Sequence, residues 1–212
     1  METKENKMVY IFSIILEFGG GRGMKERIIQ AAEQEILQRG FKFTIRDLAA
    51  GLGVSTKTLY QYFESKERII EHIVERAVAE MKEAEAAIMA DGTLNTLQKL
   101  RKALVVLPQR FLFTDIRILQ ELRKRYPKQW REIDKYVTTS WDHIRSLVKE
   151  GMAEGVLRPF DIEIFIQIYI GALYRLMDDQ TVRNTELPLE KALVQMVDLL
   201  LRGIVSLDPQ GD

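Results

Sequence analysis

Residues 44–67 read Thr-Ile-Arg-Asp-Leu-Ala-Ala-Gly-Leu-Gly-Val-Ser-Thr-Lys-Thr-Leu-Tyr-Gln-Tyr-Phe-Glu-Ser-Lys-Glu. Thr44 stands three residues before Asp47, the spacing of a capping box at the start of a helix. Ala49 is small enough for a second helix to cross closely, and Gly53, four residues on, can take the left-handed conformation of a tight turn. Leu48, Leu52, Val54 and Leu59 supply a buried face, and Ser55 can cap the next short helix. The N-terminal end of that second helix is polar, as it must be to meet base edges in a DNA major groove. An ordinary helical hairpin uses the same residue types, so spacing alone leaves both readings open.

Working outward, almost everything after Met24 carries helical periodicity. Ile28, Ile29, Ala32, Ile36 and Leu37 recur at three- and four-residue spacing, and Gly40 is placed to stop that helix. Ser65 can cap a long helix that runs to about Ala90, where Asp91-Gly92 breaks it. Further helices are predicted near 94–107, 115–126, 128–151, 161–180 and 188–206, with Pro108, Pro127, Pro159 and Pro188 near their boundaries. No run alternates as a strand would, so the expected class is all-α.

The totals narrow the function. The 212 residues hold 31 Lys plus Arg and 31 Asp plus Glu, so the chain is no general polyanion binder and any DNA contact needs a local patch. Residues 24–70 carry eight basic against six acidic side chains, whereas 71–212 carry 20 against 22. The asymmetry is mild, and its sign suits a DNA-binding head. The absence of cysteine rules out disulfides, thiol catalysis and Cys-type zinc sites, and it is compatible with a reducing cytoplasm. The apolar run Val9–Phe18 is too short for a membrane span. A di-iron carboxylate bundle would need Glu-x-x-His pairs, which do not occur, and Gly19–Gly23 lacks the Lys-Ser/Thr ending of a phosphate-binding loop. No enzyme activity, cofactor or metal is expected.

The strings Thr-Ile-Arg-Asp-Leu-Ala, Gly-Val-Ser and Thr58-Leu59-Tyr60-Gln61-Tyr62-Phe63-Glu64-Ser65-Lys66-Glu67 resemble the signature of the TetR family of bacterial regulators, over roughly residues 25–70. The layout is similar too: a three-helix head at 24–70, a long fourth helix, and a helical body at 71–212 that ends in two apolar helices. The resemblance implies a DNA-binding transcription regulator located in the cytoplasm, released from a near-palindromic duplex operator by a small molecule. By that resemblance Thr44 and Lys66 would contact phosphates. Ser55, Thr56, Lys57 and Thr58 would face the groove, and Tyr60 and Tyr62 would touch backbone or a thymine methyl. Lys57 stands where many relatives carry glycine, which makes its role the least transferable. An activator, or an interaction module that has lost DNA binding, is the alternative.

The same resemblance gives the body two tasks, dimerisation and ligand binding. Ile162, Phe165, Ile166, Tyr169, Ile170, Leu173 and Leu176 form one apolar band, and Leu189, Leu193, Met196, Val197, Leu200, Leu201 and Ile204 form another. Two such helices from each subunit would build a four-helix homodimer interface through 161–180 and 188–206, although a single monomeric core would use them equally well. Candidate ligand residues are Phe111, Trp141, Tyr169, Tyr174 and Arg175, with Trp141 expected in or beside the pocket. Arg175 could receive an anionic ligand, but Asp178 and Asp179 lie at helical pairing distance and favour an ion pair. Residues 1–23 are expected to be an extension outside the working protein, with Met24 as its start. They join no obvious core, and Gly19–Gly23 implies a G-rich tract just upstream of that methionine codon. An interfacial membrane anchor and an N-terminal arm with its own docking site are the competing readings.

Overall fold

A computed structural model describes residues 23–108, 115–177 and 188–204. The regular elements among the described residues are all helices, without a strand, as the periodicity requires. Their contacts divide the chain into two compact units that part between Ile69 and Ile70. The expected extension 1–23 lies almost wholly outside the described residues.

In the first unit, α1 (Met24–Arg39) buries Ile28, Ile29, Ala32 and Ile36 along one stripe. Gly40 ends it at φ 64°, a left-handed angle that a side chain would resist. A single 3-10 turn, Gly40–Lys42, then leads through buried Phe43 to α2 (Ile45–Leu52). The capping box is formed as the spacing demands. Thr44 Oγ1 accepts from the Asp47 amide at 3.2 Å, and the Thr44 amide donates to Asp47 Oδ2 at 2.7 Å. The Thr44 hydroxyl also donates to Asp47 Oδ2 at 2.8 Å, and this bond first and the one from the Thr44 amide second hold the Asp47 carboxyl below its ordinary range. Gly53 closes α2 in the left-handed region at φ 66°, and α3 (Thr56–Tyr60) follows after one turn. Ser55 Oγ accepts from the Thr58 amide at 3.1 Å, and Leu59 is the buried residue of α3. The long α4 (Lys66–Ala90) completes the unit at its N-terminal end, where Ile69 is fully buried.

The second unit takes the rest of α4 and six further helices among the described residues. They are α5 (Thr96–Leu104), α6 (Ile116–Arg125), α7 (Pro127–Thr139), α8 (Asp142–Ala153), α9 (Ile162–Leu176) and α10 (Leu189–Arg202). Asp91 ends α4 by accepting from the Thr93 amide and hydroxyl, and Asn95 and Gln98 form a second capping box at the start of α5. α5 packs on α8 and also on α10, which in turn packs on α9. Two polar links fasten these contacts: Thr96 Oγ1 donates to Glu154 at 2.9 Å, and Arg101 pairs with Asp198 at 2.8 Å. Gly151 lets the end of α8 meet buried Leu157, because a Cβ there would lie 2.8 Å from Leu157 Cδ1.

One expected element is corrected. The stretch 128–151 is not one helix but two, α7 and α8, broken at Ser140-Trp141. Neither Gly nor Pro marks the break. The Thr138 and Thr139 hydroxyls donate to the carbonyls of Asp134 and Lys135, both at 2.7 Å, while Ser140 leaves the helical region at ψ 64°. Short polar side chains compete with the helix in this way. The Trp141 indole Nε1 donates to the Val137 carbonyl at 2.9 Å, so a carbonyl at the helix end keeps a partner while the ring turns into the core.

Candidate functional site

The head keeps its fold and its surface on different residues. Leu48, Ala49, Leu59 and Phe63 are buried, whereas Thr44, Ser55, Thr56, Lys57, Tyr60 and Tyr62 are exposed and Thr58 is half-buried. Tyr60 and Tyr62 are 53% and 45% exposed, far more than structural tyrosines need. The result is a surface at α3 of hydroxyls, one ammonium and two phenols, held by a helix whose own anchor is Leu59. Hydroxyls, phenols and ammonium groups are the donors that hold phosphates and read base edges.

Lys66 is placed differently. Its Nζ donates to the Phe41 carbonyl at 2.6 Å and to the Phe43 carbonyl at 2.5 Å, and it stands 4.0 Å from the centre of the Phe43 ring. The ammonium therefore fastens the α1–α2 connection to the start of α4. The residue string carries no sign of this, because the partners are main-chain carbonyls 23 and 25 residues away.

Residues 28–73 match the family described as bacterial regulatory proteins, tetR family. A regulator of Bacillus subtilis (strain 168), the uncharacterized HTH-type transcriptional regulator YvaF, is 33% identical over 189 residues, covering 89% of this chain and 99% of its own length. The chain belongs to the TetR family. It is a DNA-binding transcriptional regulator. Among solved structures, a TetR/AcrR-family regulator from Thermobifida fusca superposes with a TM-score of 0.62 at 26% identity, covering 84% of this chain and 97% of its own. A transcriptional regulator from Cytophaga hutchinsonii shares the fold at a TM-score of 0.64 and 17% identity, over 87% and 100%.

The body of this TetR-family chain holds a cavity of about 70 Å³. Trp141 and Tyr169 line it, their rings edge to face with centroids 5.1 Å apart. Tyr136 and Glu85 line it as well. Of the other expected ligand residues, the described ones, Tyr174 and Arg175, do not line the cavity. Tyr174 follows Tyr169 by five positions, about 140° around the helix. It lines a separate open cleft with Trp130 and Arg123, and its hydroxyl donates to Asp134. Arg175 is exposed, and Phe111, Asp178 and Asp179 lie outside the described residues. Sequence reading missed Glu85. The available signal was register: Glu85 follows Ile70, Val74, Ala77 and Met81 on the apolar stripe of α4, where a carboxylate is out of place.

The expected interface bands turn inward, with Ile162, Ile170, Leu176, Met196 and Leu200 partly buried and the rest buried. Phe165, Ile166, Tyr169, Leu173, Leu189, Leu193, Val197, Leu201 and Ile204 are buried in the protomer itself. The large apolar residues exposed on these helices, Ile164, Ile168, Val194 and Leu199 at 60%, 52%, 41% and 72%, all lie outside those bands.

Proposed function

We propose that this chain is a homodimeric repressor that grips a near-palindromic operator through α3 and releases it when a small molecule occupies the helical body. The observation that carries the reading is α3 itself, where Leu59 alone is buried and Thr56, Lys57 and Tyr60 are exposed. In this reading Ser55, Thr56, Lys57 and Thr58 face the groove, Thr44 holds a phosphate, and Tyr60 and Tyr62 touch backbone or thymine. The exposed apolar residues Ile164 and Ile168 on α9 and Val194 and Leu199 on α10 support pairing of these helices with the same helices of a second copy, since large apolar groups left in water favour burial by a partner.

Release is a population shift: the ligand binds better to a conformation whose two heads are wrongly spaced for DNA. α4 supports this coupling, because it starts at Lys66 in the first unit and carries Met81 and Glu85 in the second. At about 70 Å³ the cavity suits a ligand well below drug size, or a larger one that opens it. The test is selection of genomic fragments by the purified protein. An enriched motif with half-sites about 34–36 Å apart, or a multiple of a DNA turn, is expected. No enriched motif overturns the reading.

A further inference from the structure

We propose that the cavity beside Glu85 takes a small organic cation with apolar substituents, a quaternary ammonium of about five to eight heavy atoms. The site stands on its own chemistry; that its occupant also releases DNA rests on the function proposed above.

Three observations carry it. The first is charge. Among the described residues lining the cavity Glu85 is the one carboxyl side chain, and no Lys, Arg or His joins it. Glu85 is 8% exposed on the apolar face of α4, so its carboxyl group stands largely out of water. An anionic ligand would meet a like charge in a poorly screened interior, and a purely apolar one would strip the carboxylate of water without replacing it. A cation does neither.

The second is how the other polar groups are used. The Trp141 indole donates to the Val137 carbonyl, and the Tyr169 hydroxyl donates to the Leu104 carbonyl at 2.6 Å. Those two side chains therefore offer the cavity ring rather than donor. The Tyr136 hydroxyl points to Glu85 Oε2 at 3.5 Å. Burial and the Glu85 charge raise the Tyr136 phenol above its ordinary range, and burial does the same for Tyr169, so both rings stay neutral. Three electron-rich rings and one carboxylate in a single lining are the chemistry that recognises quaternary ammonium groups. His143 reaches Glu85 Oε1 at 3.2 Å but is itself exposed, so it orients the carboxylate and leaves the cavity wall free of base.

The third is size. At about 14 Å³ per enclosed water, 70 Å³ holds about five waters, which is the space of a trimethylammonium group and a short arm.

The experiment is calorimetric titration of the full-length protein with four probes: tetramethylammonium, choline, 3,3-dimethylbutan-1-ol and 3,3-dimethylbutanoate. The alcohol keeps the shape of choline without its charge, and the acid reverses the charge. One cation per protomer is expected, with choline bound at least tenfold more tightly than the alcohol, no binding of the acid, and a change in Trp141 fluorescence. Glu85→Gln is expected to weaken choline at least tenfold and to erase its advantage over the alcohol. Equal affinity for choline and the alcohol overturns the proposal. So does tighter binding of the acid, the absence of saturable binding by either cation, or a folded E85Q protein that binds choline as before. The choline-against-alcohol comparison uses the unaltered protein, so it stands even where E85Q fails to fold. A cation that binds but leaves a selected DNA fragment in place keeps the site and overturns its role in release. Failure to enrich any DNA motif overturns the regulator reading and leaves the titration intact.

Discussion

The head and the body solve the problem of presenting a site in opposite ways. In the head, Lys57 and Tyr60 stand on the surface while Leu59, between them in sequence, holds the helix. In the body, Trp141 and Tyr169 line the cavity and are also core, at 5% and 8% exposure. Under the function proposed above, recognition and stability are therefore separable in the head and fused in the body. A DNA-reading surface must meet a large rigid partner from outside, whereas a small-molecule site must exclude water, and only core residues can do that.

The strongest way to break this contrast is Trp141→Ala. Losing a buried Trp should cost about 3–5 kcal/mol of stability, read by denaturant titration of the full chain. A loss under about 1 kcal/mol would mean that the cavity wall is not core. Next come Lys57→Ala and Tyr60→Ala, each expected to weaken specific DNA binding by about 1–3 kcal/mol while stability stays within about 0.5 kcal/mol. A matching drop in melting temperature would erase the separation claimed for the head.

Gly151→Ala tests the body by overpacking. The added Cβ must displace buried Leu157, so about 1–3 kcal/mol is expected to be lost, with DNA affinity of the folded fraction unchanged. Lys66→Met sharpens the boundary inside the head. If Nζ serves the Phe41 and Phe43 carbonyls, stability falls by about 1–3 kcal/mol and the salt dependence of DNA binding keeps its slope. If it serves a phosphate, the slope falls by about one.

The smallest effect is expected at Thr44→Ala, about 1 kcal/mol from the lost cap, read from the unfolding midpoint. Its pH dependence has a definite sign. The folded Asp47 carboxyl is depressed by Thr44, so its contribution is present above the unfolded carboxylate range and is lost as pH falls through the folded value. Thr44→Ala should therefore flatten the acid limb of the stability profile. An acid limb unchanged by the substitution would contradict the capping box.

The sequence by itself determined the head almost completely. Thr44 with Asp47, Gly53, and Ser55 with Thr58 are interactions between residues three or four apart, or the torsion preference of a single glycine, so adjacent letters were enough. It also determined the all-α class, because helical periodicity repeats within each segment. What it could not contain was the meaning of residues whose partners come from elsewhere in the chain. Lys66 finds carbonyls 23 and 25 residues back, Glu85 finds Tyr136 and His143 on two other helices, and Tyr169 finds the Leu104 carbonyl. The helix break at Ser140 was equally hidden, since Thr and Ser are tolerated in helices until their hydroxyls turn back to the main chain. The apolar bands of α9 and α10 were visible as bands, but only the packing decided that Phe165 and Leu193 within them are covered by the chain itself, leaving Ile164 and Leu199 outside them as the exposed apolar groups. Hydrophobicity says that a side chain will be covered; only the tertiary structure says by what.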